Sequence, residues 1–121
     1  MTSTIDIGRQ AEQAAVDYLR GNNFMILERN WRSGRYEIDI IAQRWDTIHF
    51  VEVKSRTLGG WSSPEDAIDS SKISSMQRGA RAYLALKRSK MQYQFDLIAV
   101  ETLCGEIEEL RYIERVFEDR W

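Results

Sequence analysis

Two short stretches constrain the fold more than anything else in the chain: Glu37-Ile38-Asp39-Ile40-Ile41 and, a little further on, Phe50-Val51-Glu52-Val53-Lys54. Each sets charge inside a run that otherwise reads as buried strand. Ile, Val and Phe at such density suit a sheet covered on both faces. Asp, Glu and Lys are rarely buried unless they are paired or bound to a metal. The charged positions must therefore answer one another or share a cation.

The spacing says how. Trp45-Asp46-Thr47 reads as a tight hairpin connection between the two runs. Antiparallel pairing across it brings Asp39 close to Glu52 or Lys54. Side chains alternate faces along a strand, so Glu52 and Lys54 point the same way. Two carboxylates completed by waters suit Mg²⁺, which prefers oxygen ligands and keeps much of its water. Such a cation acidifies water and neutralises charge on a transferring phosphate, and Lys54 is placed to orient that water or stabilise the phosphorane. The competing reading is a buried ion pair between Lys54 and Asp39 or Glu52.

At 121 residues the chain is of a size for one domain, spanning 1–121, with a single core. Its 43% apolar and 30% charged residues are globular values. No apolar run approaches the roughly 20 residues of a membrane helix, and the first residues lack the regions of a signal peptide. Cys104 is the one cysteine, which excludes a disulfide framework and a zinc set. A cytoplasmic protein without membrane contact is expected. The net charge of −2 argues against a generic nucleic-acid coat, but it is unevenly spread. Residues 29–90 hold twelve basic and seven acidic side chains, and residues 91–121 hold three and eight. The basic excess surrounds the candidate site and is able to attract phosphate; ordinary surface charge is the competing reading.

Hydrophobic spacing predicts a helix over 6–21, with Ala11, Ala14, Ala15, Tyr18 and Leu19 as its apolar stripe. Gly21-Asn22-Asn23 ends it, and Glu12 lies at the flank of the stripe. Strands are expected at 24–27, 36–44, 47–54, 95–101 and 106–113, a loop at 30–35, and a second helix over 71–88. Leu58–Pro64, with Gly59-Gly60, reads as a flexible loop where a substrate enters. Ile73, Met76, Ala80, Tyr83 and Leu84 form the inner stripe of the second helix, and Arg78, Arg81 and Arg88 cluster opposite. That basic face either meets DNA backbone or is simply solvated. Trp31, Trp45 and Trp61 all fall at expected loops or turns. His49, the one histidine, shares its strand face with Val51 and Val53, away from Glu52 and Lys54, so it reads as a packed residue. Cys104 has no histidine placed to make it a nucleophile.

The order helix with Glu, strand, strand with Asp, strand with Glu-x-Lys, helix, strand resembles the restriction-endonuclease-like PD-(D/E)xK superfamily. More closely, the chain resembles the YraN-like family of bacterial proteins. A Gly-x-x-(Gly/Ala)-Glu-x-x-Ala helix is matched by Gly8, Ala11, Glu12 and Ala15, and an Asn-Trp-Arg loop by Asn30, Trp31 and Arg32. Gly-Glu-Ile-Asp-Leu-Ile is matched at Glu37, Ile38, Asp39 and Ile41, and Phe-Val-Glu-Val-Lys-x-Arg from Phe50 through Lys54 and at Arg56. Lys72 matches a Lys opening the second long helix, and Phe95 and Asp96 match an Arg-Phe-Asp strand. Two positions depart: Tyr36 replaces a Gly and Gln94 an Arg. The resemblance implies an α/β fold with an αβββαβ core, a mixed central sheet flanked by helices, and divalent-metal phosphodiester chemistry. Archaeal Holliday-junction resolvases share the arrangement and act as dimers. That likeness raises Glu12 from a flank residue to a group supporting the metal or binding a second one, and makes a homodimer a further expectation.

The first expectation is therefore a Mg²⁺- or Mn²⁺-dependent nuclease acting on DNA, including branched or damaged structures. Asp39, Glu52 and Glu12 are the candidate metal ligands; Asp39, Glu52 and Lys54 are the catalytic set. Arg32, Arg56, Lys72, Arg78 and Arg81 are the candidate DNA contacts. The alternatives are a non-catalytic nucleic-acid-binding module and a protein-interaction module using the acidic C-terminal third.

Overall fold

The structure, a computed structural model, describes residues 4–59, 66 and 68–119. The chain runs α1 (Thr4–Gly21), β1 (Met25–Ser33), β2 (Tyr36–Arg44), β3 (Thr47–Thr57), α2 (Ser70–Lys87), β4 (Gln92–Leu103) and β5 (Glu106–Phe117). The five strands form one sheet in sequence order. β3 and β4 pair parallel and the other neighbours antiparallel. A parallel pair needs a crossover, and α2 supplies it. This is the mixed, helix-flanked sheet expected of the restriction-endonuclease-like core.

The helices cover opposite faces. Ala11, Ala15, Val16 and Leu19 of α1 pack with Phe24, Ile40, Ala42, Val51, Ile98 and Val100. On the other face Met76, Ala80 and Tyr83 of α2 pack with Ile38, Ile41, Ile48, Phe50 and Phe95. Near-continuous apolar runs in β3 and β4 are what burial on both sides requires. Within α1, Val16 is fully buried while Tyr18 is exposed, so Val16 takes the place that the apolar stripe assigned to Tyr18. Tyr18 instead stands edge-on to Tyr112, with centroids 5.8 Å apart.

α2 begins at Asp69, whose side chain accepts from the Lys72 N–H at 2.8 Å, and ends at Arg88 in the left-handed region. A Ser/Asp-type cap of this kind satisfies an otherwise orphaned amide. Gly79 sits where α2 comes nearest the sheet. A Cβ there would meet Ile38 Cδ1 at 3.1 Å and Cγ1 at 3.2 Å.

The segment 30–35 corrects the sequence reading. Asn30 to Ser33 continue β1, paired with Tyr36 to Ile38, and only Gly34-Arg35 make the turn. β1 is an edge strand with one neighbour, so its outer half carries Glu, Arg and Asn without apolar alternation. Trp31 is consequently in a strand, edge-on to Tyr83 at 5.4 Å. Trp45 does lie in the hairpin turn, at φ 55°. Trp61 and the Gly60–Pro64 part of the expected loop lie outside the described residues.

One irregularity positions everything that follows. β2 and β3 pair only from Ile40↔Val51 to Arg44↔Thr47. Beyond that point β2 stays with β1 as far as Tyr36, and β3 stays with β4 as far as Thr57. The sheet forks. At the same place alternation slips along β2: Ile38 joins the α2-side core and Ile40 the α1-side core. Asn30, opposite on β1, takes a positive φ of 52°.

Candidate functional site

Asp39 stands in the throat of the fork. Its Oδ2 accepts the Val53 N–H at 2.8 Å, replacing the strand partner that this amide lost when β2 turned away. Continued by one step, the Ile40↔Val51 register sets Asp39 level with Glu52. The two carboxyls are close enough for each to act on the other. Burial first, and then Glu52 as a hydrogen-bonded and charged neighbour, push the Asp39 carboxyl up to about 7. Glu52 is 5% exposed.

The positive charge that answers this pair comes from α2. Lys72 Nζ lies 3.0 Å from Glu52 Oε2. Burial works to lower the Lys72 ammonium, but Glu52 and Asp39 outweigh it and hold it above its usual range. The ion pair weighed in the sequence reading thus exists, with Lys72 in the role considered for Lys54. Lys54 is half-buried on β3. β3 keeps unbroken register with β4, so strand alternation places Lys54 on the Glu52 side. Among the described residues it has no hydrogen-bond or ion-pair partner.

Glu12 approaches from α1. Its Oε1 accepts from Asn30 Nδ2 at 2.9 Å and from Arg29 Nε at 3.2 Å. It lines a cleft of about 400 Å³ with Asn30, Asp39, Val53 and Ser55. The fork therefore opens on the α1 side at Asp39 and Glu12, while Glu52 and the part-exposed Lys72 face the α2 side. Among the described residues, no group of three or more His, Cys, Asp or Glu side chains is already gathered to hold a metal ion.

The donor set still suits one divalent cation. With Asp39 protonated, Lys72 balances the single negative charge on Glu52. With Asp39 ionised, a buried carboxylate remains uncompensated. Two carboxylates with water are the oxygen chemistry that Mg²⁺ or Mn²⁺ accepts.

The candidate DNA contacts are dispersed. Arg32 pairs with Glu37 at 3.3 Å, largely exposed. Arg56 is exposed near the end of β3. Lys72 turns inward to Glu52, and Arg81 Nη2 lies 3.2 Å from Asp119 Oδ1. Arg78 remains exposed, with Nε 3.4 Å from Ser74 Oγ. With Arg81 bound to Asp119 and Arg88 outside the helix as its cap, the arginine cluster drawn on the second helix is not one solvated face.

Sequence reasoning did not find the group around His49. This residue is packed, as expected, with Phe24 edge-on at 4.8 Å. Its Nδ1 lies 2.6 Å from Asp96 Oδ2, to which the Tyr112 hydroxyl also donates at 2.5 Å. Asp96 Oδ1 accepts from Gln94 Nε2 at 2.9 Å and from the Arg115 N–H at 3.0 Å. Burial alone would raise Asp96, but these donors outweigh it and hold the carboxyl below its usual value. The signal was present in Phe95-Asp96, an acid set inside an apolar strand.

An αβββαβ order, a sheet forked between β2 and β3, and Asp39, Glu52 and Lys54 at the fork define the restriction-endonuclease-like PD-(D/E)xK class. Within that class the chain belongs to the uncharacterised protein family UPF0102, whose model matches residues 11–100. This is the YraN-like family indicated by the motifs. Similar chains described as UPF0102 proteins come from several bacteria. One from Lawsonia intracellularis is 39% identical over 114 residues, covering 93% of this chain and 86% of its own. One from Geobacter metallireducens is 38% identical over 113 residues, covering 93% and 92%. One from Bacteroides thetaiotaomicron is 39% identical over 95 residues, covering 78% of each. No helix among the described residues is long and apolar enough to cross a membrane.

Proposed function

We propose that the protein is a cytoplasmic, divalent-metal-dependent nuclease that hydrolyses phosphodiester bonds in DNA, including branched or damaged DNA. The observation that carries this reading is the fork itself. It holds two facing carboxyls, one raised to about 7, and a lysine without a partner among the described residues on the next turn of the same strand face. A purely structural ion pair needs one carboxylate and one ammonium; the second acid and second lysine are surplus to it.

Asp39 and Glu52 would hold Mg²⁺ or Mn²⁺, which when bound supplies an acidified water and a counter-charge for the phosphate. Val53 N–H fixes one oxygen of Asp39, leaving Oδ1 for the cation. Lys54 positions the attacking water and offers an ammonium to charge that develops on the phosphate. Lys72 holds Glu52 at 3.0 Å and, with a cation bound by the carboxylates, would be available to a phosphate oxygen. Glu12 keeps Arg29 and Asn30 ordered at the α1 wall of the cleft, or takes a second cation.

A second reading has its own support. The Lys72–Glu52 contact already neutralises one carboxylate, which favours a module that binds nucleic acid without cutting it. A titration of Mg²⁺ and Mn²⁺ against a panel of duplex, nicked, flapped and four-way DNA separates the two. Cleavage that falls about 10²-fold or more in Lys54→Ala, with affinity nearly unchanged, is expected for the nuclease. Binding without cleavage in every metal and structure would leave the binding module.

A further inference from the structure

A second polar cleft, of about 450 Å³, lies on the α2 side beside the turn that opens β2. Among the described residues its lining is Arg35, Tyr36, Ser71, Ser74, Ser75 and Arg78. Two of these are guanidinium groups, four carry hydroxyls, and none is a carboxylate. Ser71, Ser74 and Ser75 fall at i, i+3 and i+4 and so share one face of α2.

The arginines flank one side chain. Arg35 Nη2 approaches the Tyr36 hydroxyl at 3.4 Å, with its guanidinium 5.5 Å from the ring centre. Arg78, from α2, lines the same cleft, with Nε 3.4 Å from Ser74 Oγ. The hydrogen bond from Arg35, with a smaller contribution from Arg78, pulls the phenol below its usual value. A neutral phenol set between two cations accepts from one without cancelling the charge of either. Guanidinium pairs and hydroxyls converging on one concavity match an oxyanion, and phosphate above all. Tyr36 is also where the chain departs from the glycine of the family pattern, and a glycine has no atom with which to gather the arginines.

Tyr36 and Asp39 are three residues apart on β2, or about 10 Å at strand rise. That is the span from one phosphate to the next or next but one along an extended strand. We propose that this cleft binds a backbone phosphate of a nucleic-acid strand whose neighbouring phosphodiester lies at the Asp39–Glu52 fork, with Tyr36 positioning the two arginines. The assignment rests on the nucleic-acid reading of the fork and fixes the path of the strand across α2, from Arg78 toward Lys72.

The test uses the full chain in EDTA, with a labelled single-stranded oligonucleotide followed by anisotropy at several salt concentrations. R35Q/R78Q should weaken binding about tenfold at low salt. It should also flatten log affinity against log salt by about 0.7, the single-strand value for one phosphate. Y36F, which keeps the ring and both charges, should weaken binding several-fold with the slope nearly unchanged. R20Q/K90Q, two exposed charges at the end of α1 and just before β4, removes equal charge at a distance. Equal slopes for R35Q/R78Q and R20Q/K90Q overturn the proposal, as does a wild-type chain that binds no strand. Inorganic phosphate alone serves as the second probe. If it shifts the Arg35 and Arg78 Nε–H resonances while a saturating oligonucleotide does not, the cleft is a free-phosphate site and the strand assignment fails. A slope difference that persists without cleavage in any metal supports the cleft and overturns only the nuclease reading.

Discussion

Asp39 concentrates the physical conflict of the chain in one side chain. Its carboxyl is raised to about 7 in the fold and returns to about 3.9 in an unfolded chain. A carboxyl raised in this way favours the folded state fully below its unfolded value, and the benefit is lost as pH rises through about 7. Metal-free protein should therefore lose stability between about pH 4 and 7, on the order of a few kcal/mol for the coupled pair, and its melting temperature should fall with it. Asp39→Asn should flatten that decline and abolish any rise in melting temperature produced by millimolar Mg²⁺ or Mn²⁺. A metal shift that survives in Asp39→Asn would remove Asp39 from the site. Asp39 and Glu52 were legible in the sequence because charge inside apolar strands has few explanations, and one hairpin fixes their register. Lys72 as their counter-charge was not, because its approach depends on the path of a crossover helix.

At the level of elements, the apolar middles of the strands were legible and their polar ends were not. Tyr36–Arg44 is β2 to the residue, since both faces are covered and composition marks its limits. The other strands were read short: β1 lost its polar half to a loop, β3 runs on from Lys54 to Thr57, β4 begins at Gln92 and ends at Leu103 rather than spanning 95–101, and β5 extends four residues past its expected end. α2 carries a feature that periodicity does not reveal. Gly79 looks like a weak point in a helix, yet it is the contact that lets α2 lie on β2. Gly79→Ala gains about 1 kcal/mol of helix propensity but overpacks against Ile38, at about 1–3 kcal/mol. The expected net is a loss near 1 kcal/mol by denaturant unfolding. Ile38→Val removes the Cδ1 that the new methyl would strike, so the double variant should lose clearly less than the two single losses added. Strict additivity would show that the methyl is accommodated elsewhere.

Across the whole molecule, the Asp96 group ties three strands: His49 from β3, Asp96 and Gln94 from β4, Tyr112 and Arg115 from β5. A carboxyl held below its usual value stabilises the fold above its unfolded value, and that benefit is lost as pH falls through the folded one. Asp96→Asn should cost about 2 kcal/mol or more at neutral pH, on the scale of hydrogen bonds to a buried charge, and should blunt acid unfolding below about pH 4. An unchanged acid limb would assign that transition to other carboxyls. With Asp39 eroding stability toward neutrality, metal-free protein should be most stable between these two transitions. The fork has a mechanical consequence of its own. β1 and β2 make one leaf, β3 to β5 the other, and the five residue pairs beside the Trp45-Asp46 turn are the spine between them. A small rotation about that spine is a lever. It leaves the hairpin end almost still and moves the two carboxyl-bearing strands apart at the far end, so the width of the throat can adapt to its occupant while each leaf keeps its own ladder. The Val53 amide, held by Asp39, is then the hinge's gauge: its hydrogen exchange should be slow when the throat is closed and quicken as it opens.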